Sequence, residues 1–213
     1  MSYVEARNGR FALYNDTIYA PLGVDASRAR SLGGLSLDAA LGVDIELTII
    51  EVGAVYEIAK WWHGGGGSAF VRSTAIDLLA GARYWHQDAS INLALTGTLN
   101  TAGLSVTGNR AIARSGGVDW VDPLVGLRLR HQLAPGQELV LRGDIGGFDV
   151  GSQFSWNVLA AYSWRIGVHN GATYSGLLGY RALSADYEQG SGATRYEYNA
   201  TLHGPIVGLT VNF

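Results

Sequence analysis

The residues best suited to chemistry in this sequence are charged side chains placed at every second position of otherwise apolar segments. In a β-strand, alternate residues lie on one face, so these charges share a face opposite the apolar one. Arginine forks pair with carboxylates in confined spaces, and rings of arginine select anions in pores. We expect the set to line an interior; it consists of Asp77, Arg83, Asp122, Arg128, Arg130, Arg142, Asp144, Arg165 and Arg181.

Catalytic and metal-binding arrangements have weaker support. Of the five histidines only His203 is expected inside a strand, and no serine lies two residues from it. A hydrolase or acyltransferase needs a histidine close to a serine or aspartate. No paired histidines have ligand spacing, and Gly64–Gly67 is not followed by the lysine and serine of a phosphate loop. We therefore predict no enzyme, no catalytic residue, no metal and no cofactor.

The segment Phe154–Ile166 shows which elements would position the charges. Its alternate residues are apolar throughout and carry aromatic side chains near both ends. A membrane-crossing strand needs about 9–11 tilted residues, with aromatic side chains at the two interfaces. The segment therefore predicts a transmembrane strand with its apolar face towards lipid. Together with the last strand it predicts these lipid-facing residues: Phe154, Trp156, Val158, Tyr162, Trp164, Val207, Leu209, Val211 and Phe213.

Composition agrees with such a protein. Glycine is abundant at 30 residues, cysteine is absent, and the net charge of −3 argues against general binding to nucleic acid. A single lysine, Lys60, stands beside fourteen arginines, which suits paired charges in a confined interior or reflects a GC-rich genome. No apolar run is long enough for a transmembrane helix.

Turn signals divide the chain into about ten strands, with eight to twelve in range. Short turns are predicted at Asn8-Gly9 (type I′), 86–89, 134–136 and 168–171. Longer loops are predicted at 21–42 (with a short helix at Leu35–Leu41), 61–68, 99–118, 147–153 and 184–195. A bulge near Ile49–Ile50 would reconcile the two apolar phases of Val43–Ala59. Residues 76–85 fit a strand better than a helix. The prediction is one antiparallel all-β barrel domain, residues 1–213.

Several stretches resemble a family of proteobacterial outer-membrane β-barrel proteins of unassigned activity, loosely akin to opacity-type porins. They are Glu5–Arg10, Leu78–Trp85, Asp119–Arg128, Leu141–Gly151, Leu178–Leu183 and Leu202–Gly208, before the terminal Phe213. The terminal aromatic residue resembles the signal read by outer-membrane assembly machinery. The resemblance implies additional strands upstream of Glu5–Arg10, which would account for the missing signal peptide.

We therefore expect a transmembrane barrel in the outer membrane of a Gram-negative bacterium, with a structural or porin-like role. The charged lumen is either an anion-preferring pore or an interlocked plug, and a narrow barrel filled by side chains favours the plug. The expected partners are outer-membrane lipids and the assembly machinery, with small solutes or ions if the lumen conducts. The alternatives are a lipid-modifying barrel enzyme and a soluble lipocalin-like barrel whose apolar face binds a ligand.

Overall fold

The computed structural model describes residues 1–32, 35–64, 71–101, 104–190 and 196–213. Nine strands occur in these residues: β1 (Ser2–Asn8), β2 (Phe11–Leu32), β3 (Leu35–His63), β4 (Arg72–Thr101), β5 (Leu104–Ala134), β6 (Gln137–Gly147), β7 (Phe154–His169), β8 (Ala172–Gln189) and β9 (Tyr196–Asn212). They form one antiparallel sheet in sequence order, from β1 to β9. The predicted all-β antiparallel fold is confirmed.

The chain divides into two compact units. Unit 1 contains Met1–Ser2, Thr17–Ile50 and Trp85–Trp120, and unit 2 contains Tyr3–Asp16, Glu51–Tyr84 and Val121–Phe213. The single domain expected for residues 1–213 stays a prediction.

Two tight turns in unit 2 have the chemistry that their sequences require. Asn170 (φ 49°) and Gly171 (φ 83°) both have positive φ, as a type I′ turn demands between β7 and β8. The first hairpin, in contrast, turns at Gly9 and Arg10, and Gly9 alone has positive φ (60°). The type I′ turn predicted at Asn8-Gly9 is therefore wrong, and the signs of φ are those of a type II′ turn.

Several predicted loops are strands. Most of residues 21–42 belong to β2 and β3, with no helix at Leu35–Leu41, and most of 99–118 belongs to β4 and β5. Residues 184–189 end β8. Apart from Gly33-Gly34, glycine, serine and aspartate in 21–42 alternate with other residues, for example in Leu22-Gly23-Val24-Asp25, and this is a strand pattern. Residues 61–63 of the predicted loop 61–68 end β3. The predicted loop residues 33–34, 65–68, 102–103 and 191–195 lie outside the described part of the chain.

The turn predicted at 86–89 is also wrong, because these residues continue β4. His86 and Asp88 are two residues apart and therefore share a face of the strand, where the His86 ring contacts the Asp88 carboxylate at 3.0 Å. Short polar runs thus fit inside a strand when residues of the same face pair. The predicted strand at 76–85 and the turns at 134–136 and 168–171 are confirmed, and the loop predicted at 147–153 is confirmed except for Gly147, which ends β6.

The buried side chains of β3 all occupy alternate positions and therefore lie on one face of the strand. Leu47, Ile49, Glu51 and Val55 are all buried, whereas Val52 is exposed. The sequence change near Ile49–Ile50 therefore reflects residue type and not strand geometry. The buried positions are apolar up to Ile49, and the next one carries the charged Glu51. No bulge is needed to account for the burial pattern.

Candidate functional site

The sheet of unit 2 curves so strongly that strands far apart in its order meet through their inward side chains. Arg128 of β5 bonds to Glu5 of β1, and Arg181 of β8 bonds to Asp16 of β2. In a flat sheet β2 and β8 would be separated by about 29 Å, at about 4.8 Å for each strand. An arginine and an aspartate cannot span that distance. The inward face therefore encloses an interior lined by charge.

One group of interior residues, the Glu51 cluster, centres on a carboxylate that two arginines share. Arg83 donates to Glu51 Oε2 from Nε (3.0 Å) and Nη2 (2.7 Å), and Arg142 Nη2 donates to Glu51 Oε1. The Tyr14 hydroxyl donates to the same Oε1 at 2.7 Å. The side chains of Glu51 and Arg83 are almost completely buried. The remaining members of the cluster are Asp16, Asp144, Asn157 and Arg181.

The second half of this cluster extends across β6, β7 and β8. Asp144 accepts from Arg83 Nη2 at 2.5 Å and from Arg142 Nε at 3.0 Å. Asn157 then links two charged groups: its Nδ2 donates to Asp144 at 2.7 Å, and its Oδ1 accepts from Arg181 at 2.8 Å. Arg181 ends the chain of bonds on Asp16 at 2.8 Å. The amide relays hydrogen bonding without adding charge.

A second group, the Asp77 cluster, contains Glu5, Arg7, Glu57, Asp77, Arg128 and Arg130. Asp77 is buried and accepts from Arg128 Nε at 2.9 Å and from Arg130 Nε at 2.8 Å. Arg128 also bonds to Glu5 at 2.6 Å, and Arg130 to Glu57 at 2.9 Å. The planar guanidinium presents several donors at fixed angles, so one arginine satisfies two carboxylates at once.

Counted over the residues that ion pairs join, both clusters are electrically balanced. Each contains three carboxylates and three guanidinium groups: Asp16, Glu51 and Asp144 with Arg83, Arg142 and Arg181, and Glu5, Glu57 and Asp77 with Arg7, Arg128 and Arg130. Buried charges carry a large desolvation cost unless they are paired and hydrogen-bonded. The ion pairs leave no excess of either sign among these residues, and Asp16 Oδ1 and Arg83 Nη1 are the two atoms of these side chains that are buried without a hydrogen-bond partner in the described residues.

The structure brings together seven of the nine charged residues predicted for the interior: Asp77, Arg83, Arg128, Arg130, Arg142, Asp144 and Arg181. Asp122 is buried elsewhere, where it accepts from the backbone nitrogen and the hydroxyl of Ser152, both at 2.6 Å. Arg165 is exposed near the end of β7, and its backbone nitrogen donates to Gly136. The register of β7 against β8 shifts directly after Arg165.

The opposite face of the same strands carries the predicted lipid-facing residues. Val158 is 52 %, Leu209 63 % and Val207 80 % exposed. Phe154, Trp164, Val211 and Phe213 are exposed as well, and Trp156 and Tyr162 are partly exposed. The apolar side chains therefore face outwards while the charged ones are buried.

Sequence reasoning missed half of the clusters, namely the partners on the first three strands: Glu5, Arg7, Tyr14, Asp16, Glu51 and Glu57, together with Asn157. A usable signal existed. Glu51 and Glu57 have the same parity as Leu47 and Ile49, so a single phase carried through β3 would have placed both carboxylates inward.

The described residues contain no group of three or more histidine, aspartate or glutamate side chains arranged to hold a metal ion. The described part of the chain also has no helix long and apolar enough to cross a membrane. Fold and clusters together define an all-β protein with an ion-paired interior. Neither protein-family models nor curated proteins give a match to this sequence.

Proposed function

We propose that this chain is a transmembrane β-barrel protein of a bacterial outer membrane, with a structural role and an interior closed by ion pairs. The observation that carries the proposal is the distribution of polarity in unit 2. Large apolar side chains are exposed on one face of its strands, and charged side chains are buried on the other. Transmembrane barrels have this arrangement, with an apolar band outside and polar residues inside.

The balanced charge of the clusters favours a plug over a pore. An anion-selective pore needs arginines whose donors are free to meet a passing ion. Each arginine of the Glu51 cluster is instead bound to at least one carboxylate, and Arg83 and Arg142 each to two. A porin-like role remains the second candidate, supported by the arginine-rich interior. Membership of the proteobacterial family that the sequence resembles, and recognition of Phe213 by assembly machinery, belong to this proposal.

The charged interior of unit 2 does not suit the lipocalin-like alternative, because such a barrel would turn its apolar face inward. The enzyme alternative rests on His203, whose ring lies 2.7 Å from the hydroxyl of Tyr180 on the exposed side of β8 and β9. The residue in contact with this histidine is thus a tyrosine, not the serine or aspartate expected beside the histidine of a hydrolase or acyltransferase. The absence of enzymatic activity stays a prediction.

Conductance in planar lipid bilayers tests the plug. We expect the purified chain to insert without stable channel openings, and we expect a double variant, Glu51→Ala with Asp144→Ala, to produce anion-selective openings. This variant leaves Arg83 and Arg142 without carboxylates. The matched control replaces two exposed carboxylates, Glu46→Ala with Asp25→Ala. Regular openings of the unaltered chain would instead establish the porin-like role.

A further inference from the structure

Unit 1 has two faces of opposite character, which its own contacts define. In this unit Gly23 approaches Asp44, Gly97 approaches Leu37, and Trp85 stacks on Trp120. Residues opposite one another on neighbouring strands share a face, and so do residues two apart on one strand. These contacts therefore assign the described side chains of the four strand segments in unit 1 to one of two faces.

One face is apolar and exposed. Val24, for example, is 67 % exposed, although it lies within a paired strand. The large apolar residues of this face that are exposed are Leu22, Val24, Leu37, Leu41, Ile91, Leu95 and Ile112. The other face carries small and polar residues, among them Asp25, Ser27, Asp44, Asn92 and Ala113. We call the first of these the apolar face of unit 1.

The apolar face is closed at one end by packed side chains. Trp85 and Trp120 stack with ring centroids 5.5 Å apart and an interplanar angle of 11°. Leu47 and Ile49, which have the same parity as Leu41, are buried. The remainder of the face, from Leu22 towards the end of β2, stays uncovered.

Arginines mark the open end of the apolar face. Arg28 and Arg30 follow Leu22 and Val24 at even positions of β2, and Arg110 precedes Ile112 at an even position of β5, so all three share this face. All three are exposed, and none forms an ion pair within the described residues. Six residues separate Leu22 from Arg28, which is about 20 Å along a strand.

We propose that the apolar face of unit 1 binds a long-chain fatty acid. The acyl chain lies along the aliphatic side chains between the stacked tryptophans and the arginines, and the carboxylate is held by Arg28, Arg30 and Arg110. Contiguous exposed apolar patches on a protein surface mark sites that bind apolar partners. The arginines specify an anionic head group, because guanidinium forks pair with carboxylates through charge-assisted hydrogen bonds. The inference stands on unit 1 alone and does not depend on the proposed membrane role of unit 2.

Equilibrium binding of a fluorescent C16 fatty acid to the full chain, held in an amphipol, tests the site. We expect saturable binding at one site and at least tenfold weaker binding of the methyl ester, which lacks the charge. The variant Arg28→Gln with Arg30→Gln and Arg110→Gln should weaken binding of the acid to the level of the ester. The control Arg72→Gln, an exposed arginine of unit 2, should change binding less than twofold.

A second pair of variants separates the two faces of the same strand. Val24→Asp places a charge on the apolar face and should weaken binding at least tenfold, whereas Ser27→Asp on the opposite face should leave it unchanged. Circular dichroism verifies that each variant keeps its strand content. Lack of saturable binding, or equal loss in both aspartate variants, overturns the proposal.

Two further outcomes would assign the face to another occupant and also overturn the proposal. A concentration-dependent dimer that Val24→Asp dissociates would make the face an interface between copies. Quenching of Trp85 and Trp120 by brominated phospholipid, in a nanodisc-bound variant with Trp61, Trp62, Trp156 and Trp164 changed to phenylalanine, would place bilayer lipid against it. With a fatty-acid site, brominated fatty acid quenches these two tryptophans and the phospholipid does not.

Discussion

The arginines and carboxylates of unit 2 stabilise the fold only as complete sets. Glu51 accepts hydrogen bonds from Arg83, Arg142 and Tyr14, so its negative charge is matched by groups on three other strands. A buried ion pair gains little over apolar packing, but removal of one partner leaves an uncompensated charge, which costs about 3–5 kcal/mol. A substitution of one charged residue therefore reveals its contribution to stability when its partners are left unchanged.

Glu51→Gln should lower the free energy of unfolding by about 3–5 kcal/mol, because Arg83 and Arg142 lose a shared counter-charge in a buried site. Urea titration of the chain refolded into lipid vesicles measures the change. Glu46→Gln, an exposed glutamate on the same strand, should stay within about 0.5 kcal/mol of the parent. Equal stability of the two variants would show that the interior is open to water.

Asp122→Ala should loosen the loop 148–153 rather than the whole sheet. The carboxylate holds both the backbone nitrogen and the hydroxyl of Ser152, so its removal leaves two buried donors unsatisfied at about 1–3 kcal/mol each. Amide hydrogen exchange should accelerate at 148–153. Ser152→Ala removes one donor together with its bond and should have a smaller effect; a larger effect would contradict this account.

At the scale of elements, the stability of the strands depends on which of their residues face inward and on the turns that join neighbouring strands. The hairpin of β7 and β8 turns at Asn170 and Gly171, and Gly171 has a φ of 83° with open space around it. A methyl group there meets no neighbouring atom. Any cost of a side chain at this position therefore comes from the backbone conformation alone.

Gly171→Ala should destabilise the protein by about 1 kcal/mol, since alanine disfavours positive φ. A methyl group on Gly143, in β6, would likewise meet no neighbouring atom, but this glycine has no positive φ. Gly143→Ala should therefore be neutral or slightly stabilising, because glycine inside a strand costs about 0.5–1 kcal/mol relative to alanine. Thermal unfolding compares the two, and a loss of stability in both would point to packing instead of φ.

At the scale of the whole molecule, the proposed membrane location requires that the outward side chains of unit 2 contact lipid and not water. Val158 lies within β7 and pairs across the sheet with Gly143 and Ala182. Val150 is an exposed valine of the loop between β6 and β7. In water these two exposed positions would tolerate a charge equally well.

Val158→Arg should lower the stability of the vesicle-inserted protein by about 2–4 kcal/mol, the cost of arginine on the lipid face near the midplane. Val150→Arg should change it by less than about 0.5 kcal/mol. Urea titration in vesicles gives both values. Near-equal stabilities would contradict a membrane location and favour a soluble protein.

The sequence by itself determined the class of fold and the two faces of the later strands. Period-two alternation from β5 to β9 depends only on local geometry, so the inward residues Arg128, Arg142 and Arg181 and the outward residues Val158 and Leu209 could be read directly. The ends of the strands were predicted less accurately, because Gly, Ser and Asp occur both in turns and on the exposed faces of long strands such as β2 and β4.

Only the tertiary structure decided which charges meet. The partners within the clusters lie up to 165 residues apart, as in Arg181 and Asp16, and the curvature of the sheet brings them within hydrogen-bonding distance. Spacing along one strand carries no information about contacts across an interior. The alternation of charged residues therefore predicted an interior lined by charge. The balance of charge among the ion-paired residues, the division of the charges into two clusters and the exposure of Arg165 follow from the packing of the sheet.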